Sequence, residues 1–169
     1  MPKDSADLHV ERWRDHWALD TPFDDQIEAA MVRIIRLDRH LTSTTQRALA
    51  EAKLQRHEYE TLHHLMIRDT PGRASPTTLA HDMGVSPAGM TGRLDGLEKK
   101  GYVTRIPDTK DRRKVDVEIT RAGRAVWRSA MQLRGGAEEN LAGALTRKEL
   151  ETLNRLLRKL LLRAEESSG

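Results

Sequence analysis

Apolar positions recur three and four residues apart over most of this chain, and two apart over one short stretch. The longer period predicts amphipathic helices, the shorter one a half-buried strand. Residues 1–6 carry neither pattern and are expected to be disordered. Residues 7–19 place Val10, Trp13 and Trp17 on one helical face, and Pro22 ends that pattern. Residues 23–53 predict one long helix, capped by Asp24, with Ile27, Met31, Ile34 and Leu41 in a stripe flanked by Ile35 and Leu37. Such a helix spans roughly 45 Å, more than a small globule needs, so it is expected to cross a subunit or scaffold. Residues 56–69 form the next helix, with Tyr59, Leu62, Leu65 and Met66 inward.

Residues 75–101 read as two short helices joined by a tight turn. Ser75 and Ser86 each precede a proline, Pro76 and Pro87, which is the signature of a capped helix start. Leu79, Ala80 and Met83 give the first helix its apolar side. Gly84 supplies a left-handed stop, with Val85 as a buried plug. Met90, Leu94 and Leu97 form the stripe of the second helix, and Gly101 ends it. The opposite side carries Ser86, Ala88, Gly89, Thr91, Gly92 and Arg93, short or hydrogen-bonding side chains that permit close approach to another surface. A helix–turn–helix would lay this second helix in a major groove, N-terminal residues first; an ordinary αα-hairpin has the same pattern.

After Gly101 the period changes. Residues 102–106 predict a strand, and residues 115–120 alternate strictly, with Val115, Val117 and Ile119 inward. Between them lies the charged loop PDTKDRRK. Thr120 is placed to cap a helix containing Trp127 and Met131, which Gly135 and Gly136 are expected to interrupt or kink. Thr146 to Glu149 spells a capping box, and Leu150, Leu153, Leu157 and Leu160 mark the face of a final helix. The fold class expected is therefore mainly α with a small β-hairpin wing: a winged helix-turn-helix, dimeric with interlocked terminal helices. Its expected divisions are 1–54 (added helix and long scaffold helix), 55–120 (winged helix) and 121–169 (dimerisation helices).

Composition sharpens this. The 169 residues are 37% hydrophobic and 33% charged, a polar balance for a compact globule and one that a second chain would complete. Net charge is only +3, but it is unevenly spread. Residues 105–114 hold five Lys/Arg against two Asp, whereas residues 1–25 hold three basic residues against seven acidic ones. A localised basic patch is the footprint of a phosphate-binding face. The chain has no cysteine, which excludes disulfides and thiolate catalysis. No apolar run reaches membrane-spanning length and no signal-peptide core is evident, so a cytoplasmic location is expected. Neither a nucleophile elbow, a phosphate loop nor a paired-carboxylate arrangement occurs. No enzyme, cofactor or metal is expected; His57, His63 and His64 read as solvated or core residues, since adjacent His63 and His64 point apart.

At the hairpin tip, Arg105, Lys110, Arg112, Arg113 and Lys114 are positioned to meet DNA, and arginine suits a narrow minor groove. Asp111 is expected to hold Arg112 or Arg113 in a fixed pose. The run SPAGMTGRLDGLEKKGYVTRIPDTKDRRKVDVEITRAGR resembles the recognition helix and wing of the MarR family of winged-helix repressors, most specifically in DRR and ITRAGR. The resemblance implies a homodimer with two recognition helices in successive major grooves of a pseudo-palindromic double-stranded DNA. It places Ser86, Ala88, Gly89, Thr91 and Gly92 at the bases, with Lys110, Arg112 and Arg113 on the wing.

The added N-terminal helix with Trp17 resembles a narrower branch that responds to urate or to small carboxylates such as citrate and trans-aconitate. That resemblance implies a small anionic effector bound by Trp17, Glu60, Arg93 and Arg105. Glu60 stands where the urate pattern has aspartate, and Tyr59 replaces a neighbouring tryptophan, so urate itself fits less well. The expected function is a ligand-responsive transcriptional repressor released from DNA by its effector. A winged-helix protein–protein adaptor, or a MarR-type regulator responding to phenolic or drug-like ligands, are the alternatives.

Overall fold

The computed structural model describes residues 2–14, 24–107 and 115–167. Its contacts divide the chain into two compact units, residues 1–47 and 48–169.

In the first unit, α1 (Ser5–Trp13) lies against α2 (Asp25–Glu51), the long helix whose last residues enter the second unit. Order begins earlier than the sequence pattern indicates. Asp4 caps α1, accepting hydrogen bonds from the Ala6 and Asp7 amides, and Arg33 of α2 donates to both Asp4 and Asp7. The Arg33 hydrogen bond draws the Asp4 carboxyl down to about 2. Ala6, Val10 and Ala29 are buried, and His9 Nε2 lies 2.9 Å from Glu28. Asp24 caps α2 through the Gln26 amide, at 2.8 Å. Along α2, Ile27, Met31, Ile34 and Ile35 are exposed.

The second unit packs α3 (Arg56–Met66), α4 (Pro76–Asp82), α5 (Pro87–Lys99) and the start of α6 (Arg121–Ala142) around a three-stranded sheet. The strands β1 (Arg73–Ala74), β2 (Val103–Pro107) and β3 (Val115–Ile119) are antiparallel in the order β1-β3-β2. β1 is absent from the sequence pattern: two residues cannot show alternation, and its partners Glu118 and Val117 are remote in sequence. Leu62, Leu65, Leu79, Met90, Leu94, Leu97 and Val117 form the dry centre. Val117 and Ile119 point inward as expected, but Val115 is 43% exposed.

Close approach at the start of α6 explains the ITRAGR sequence. Thr120 caps α6 through the Gly123 amide, and its hydroxyl also donates to the Gly101 carbonyl. A Cβ on Gly123 would stand 2.1 Å from the Tyr102 carbonyl oxygen, so only glycine fits. Gly135 and Gly136, by contrast, do not interrupt α6, which runs unbroken through both. A helical glycine costs about 1 kcal/mol, too little to break a helix anchored at its capped end. The last helix, α7 (Arg147–Glu166), starts at the Thr146–Glu149 capping box and buries none of its residues. No described helix is long and apolar enough to cross a membrane.

Candidate nucleic-acid interface

The turn between α4 and α5 is built as its sequence requires. Ser75 and Ser86 accept hydrogen bonds from the Thr78 and Gly89 amides, each at 3.1 Å. Gly84 and Gly101 adopt φ of +60° and +73°, a region that favours glycine. Val85 is half-buried rather than fully enclosed.

Met90, Leu94 and Leu97 are at most 1% exposed and seat α5 on the core. This leaves Ser86, Ala88, Gly89, Thr91 and Gly92 together on the exposed N-terminal part of α5. Thr91 Oγ1 donates to the Pro87 carbonyl, which leaves its oxygen lone pairs toward solvent. A Cβ at Gly92 would meet nothing within 4 Å. Among the described residues, no contact accounts for glycine there; helix propensity alone would favour alanine.

Ion pairs hold α5 on two flanks. Toward α3, Lys100 Nζ lies 2.7 Å from Glu58, and Arg93 Nη1 lies 3.9 Å from Glu60. Glu60 also accepts from Arg56 Nε at 2.9 Å. Toward the wing, Arg105 of β2 donates to both Asp95 and Glu98 of α5, and its amide donates to Glu98 at 3.2 Å. Glu58 is buried, which works to raise its carboxyl pKa, but the Lys100 and Gln55 hydrogen bonds outweigh burial and hold it below the ordinary carboxylate range. At the foot of the wing, Arg73 pairs with Asp116 at 2.9 Å.

Of the four residues expected at an effector site, Glu60 and Arg93 are therefore neighbours. Arg105 instead engages Asp95 and Glu98. Trp17 lies outside the described residues, as do Lys110, Asp111, Arg112, Arg113 and Lys114. The α5 carboxylates had a legible signal: Asp95 and Glu98 are three apart on one helical flank, shortly before an arginine-bearing strand.

His63 is a core-edge residue. It stacks on Tyr59 with ring centroids 5.5 Å apart, and Trp127 Nε1 donates to its Nδ1 at 3.3 Å. Burial and the nearby Arg134 push its pKa down. Among the described residues, no three His, Cys, Asp or Glu side chains converge as a metal site.

An exposed, capped helix after a glycine turn, followed by an antiparallel wing, is a DNA-reading geometry. Residues 58–115 match the model of the MarR family. The chain resembles that family across its winged helix. It shares 47% identity over 53 residues with the transcriptional repressor YetL of Bacillus subtilis, covering 31% of this chain and 32% of YetL. Similarity to the transcriptional regulator PecS of Dickeya dadantii is lower, 25%, but runs over 88% of this chain and 87% of PecS. Among solved structures, YusO of Bacillus subtilis superposes with a TM-score of 0.72 at 20% identity, over 83% of this chain and 98% of that one. The apo form of E. coli MarR gives 0.62 at 27% identity, over 76% and 94%. The DNA complex of S. aureus MepR gives 0.65 at 19%, over 76% and 95%. The architecture is thus the MarR-type winged helix, and the relatives YetL and PecS are a transcriptional repressor and a transcriptional regulator.

Proposed function

We propose that this chain is a dimeric transcriptional repressor that binds a pseudo-palindromic DNA and is released by a small anionic ligand. The observation that carries the reading is the face of α5: Ser86, Ala88, Gly89, Thr91 and Gly92 are exposed while Met90, Leu94 and Leu97 are buried beneath them. Short side chains let the α5 backbone approach base edges and leave part of the specificity to groove shape. Lys110, Arg112 and Arg113, which lie outside the described residues, would add cationic contacts to the DNA, with the two arginines suited to a narrow minor groove. Two such helices from a homodimer meet half-sites about 34 Å apart.

The unpartnered apolar faces support the dimer. On α7, Leu153, Leu156, Leu157, Leu160 and Leu161 are 40–60% exposed, and leaving them in water forfeits the burial that drives association. For the effector, Arg93 and Glu60 form the nucleus of an anion site beside the reading helix. A polycarboxylate or urate would compete with Glu60 for Arg93, and with Asp95 and Glu98 for Arg105.

The test selects duplexes from a random pool and then titrates the selected duplex against salt. Wild-type protein is expected to enrich an inverted repeat. The Arg112→Ala/Arg113→Ala variant is expected to bind more weakly, with a salt slope lower by about one unit per lost phosphate contact. Enrichment of no site would favour a protein–protein adaptor and overturn the reading. Citrate, trans-aconitate and urate are then added to the complex. DNA release by one of them, lost in Arg93→Ala, supports the effector site; no release by any, or unaltered release in the variant, removes it.

A further inference from the structure

Asp95 and Glu98 are a problem for a helix that meets DNA. Asp95 lies one helical turn beyond Thr91, on the exposed flank of α5, and its side chain is 58% exposed. Glu98 follows within the next turn and is 37% exposed. Carboxylates there face the direction from which phosphates arrive, and like charges brought together at an interface oppose binding.

Arg105 answers this. Its side chain is 33% exposed, and the guanidinium lies between the two carboxylates, donating through Nη2 to Asp95 and through Nη1 to Glu98. The Arg105 amide adds a third link to Glu98. One cation on β2 therefore partly neutralises two anions on α5 and fixes the helix to the first strand of the wing. The planar fork of arginine suits two acceptors at once, which a lysine ammonium on a flexible stem does not reproduce.

We infer that Arg105 is a positioning residue for DNA binding: it masks the Asp95 and Glu98 carboxylates and locks the recognition helix to the wing. The inference rests on the DNA-binding reading and needs no contact between Arg105 and DNA. It also gives Arg105 a role in the unliganded protein, separate from any part in effector binding.

The test measures affinity and salt dependence for the selected duplex by fluorescence anisotropy, using full-length protein and thermal unfolding as a fold control. Arg105→Ala is expected to bind about tenfold more weakly. Arg105→Ala/Asp95→Asn/Glu98→Gln is expected to recover most of that loss, because the anions that Arg105 masks are gone. Asp95→Asn/Glu98→Gln with Arg105 intact is expected to bind at least as well as wild type, since the amides still accept from the guanidinium. Should Arg105→Ala fold poorly, Arg105→Lys serves instead, with a smaller loss and the same rescue.

Wild-type affinity in Arg105→Ala overturns the inference. So does a loss that the two amide substitutions do not rescue and that lowers the salt slope by about one unit, the behaviour of a direct phosphate contact. If the wild-type protein itself binds no duplex, the DNA-binding reading falls and the inference falls with it. Binding by wild type with an unaffected Arg105→Ala removes the inference alone.

Discussion

Replacing Lys100 by methionine isolates the most deeply buried charge among the described residues of the winged helix. Glu58 has a side chain only 5% exposed, and Lys100, whose side chain is 40% exposed, brings its ammonium to 2.7 Å. Methionine keeps much of the stem and removes the charge, leaving Glu58 with the Gln55 amide at 2.9 Å. Breaking a buried pair from one side costs about 3–5 kcal/mol. Water reaches the lysine end of this pair, so about 2 kcal/mol is the expected loss here. For a chain of this size that lowers the thermal midpoint by about 4–8 °C, compared at fixed protein concentration because the proposed dimer would make the midpoint concentration-dependent. The sign of the pH dependence is a second check. In wild type the folded pKa of Glu58 is depressed, so its contribution is present above the unfolded value and lost as pH falls through the folded one. In Lys100→Met only the Gln55 amide is left of the two hydrogen bonds that oppose burial, so the folded pKa rises and protonation relieves part of the penalty. The gap between wild type and variant should therefore narrow from pH 7 to pH 4.5, and Glu58→Gln/Lys100→Met should recover most of the loss at pH 7. A variant as stable as wild type, or a gap constant with pH, would refute the claim that Lys100 compensates a buried anion.

Two further outcomes follow from the same geometry. Gly92→Ala should raise the thermal midpoint by about 2–4 °C, since alanine is the better helix former by about 1 kcal/mol and its Cβ meets nothing within 4 Å. It should nevertheless weaken DNA binding in an anisotropy titration, and an unchanged affinity would show that the α5 backbone does not approach the duplex. Because burial lowers the pKa of His63, the unfolded chain binds more protons below the ordinary histidine value, so stability should fall as pH drops from 7 through 6. His63→Phe should flatten that part of the profile in a series of thermal melts.

What the sequence made legible is local. Ser75, Ser86, Thr120 and Thr146 cap helices through amides three residues away, and Gly84 and Gly101 stop them through their own backbone angles. These features need no knowledge of the rest of the fold. The apolar stripe of α5 was equally readable, because burial follows helical spacing. What escaped depends on remote partners. Glu58 and Lys100 are separated by 42 residues, and nothing local marks that glutamate as buried, since charged residues are seldom enclosed unless paired. β1 exists only because Gly72 and Arg73 meet β3, with the Ile119 amide donating to the Gly72 carbonyl at 2.8 Å. At Gly135 and Gly136 the cause is the opposite: a weak local preference against helix yields to a helix already anchored elsewhere.

The charged contacts around α5 do what its apolar face cannot. Of its thirteen residues, only Met90, Leu94 and Leu97 are buried, because most of the remaining surface is kept short or small. Apolar burial holds a helix against a core but is non-directional, so three side chains alone leave rotation about the helix axis weakly specified. Ion pairs supply direction. Lys100 and Arg93 tie one flank to Glu58 and Glu60 of α3, and Asp95 and Glu98 tie the other to Arg105 of β2. A helix restrained from both sides presents Ala88, Gly89, Thr91 and Gly92 at one angle rather than a range of angles. Under the proposed function, an anion that competes for Arg93 or Arg105 would loosen one of these restraints, so the contacts that fix the angle of α5 would also be the ones through which DNA is released.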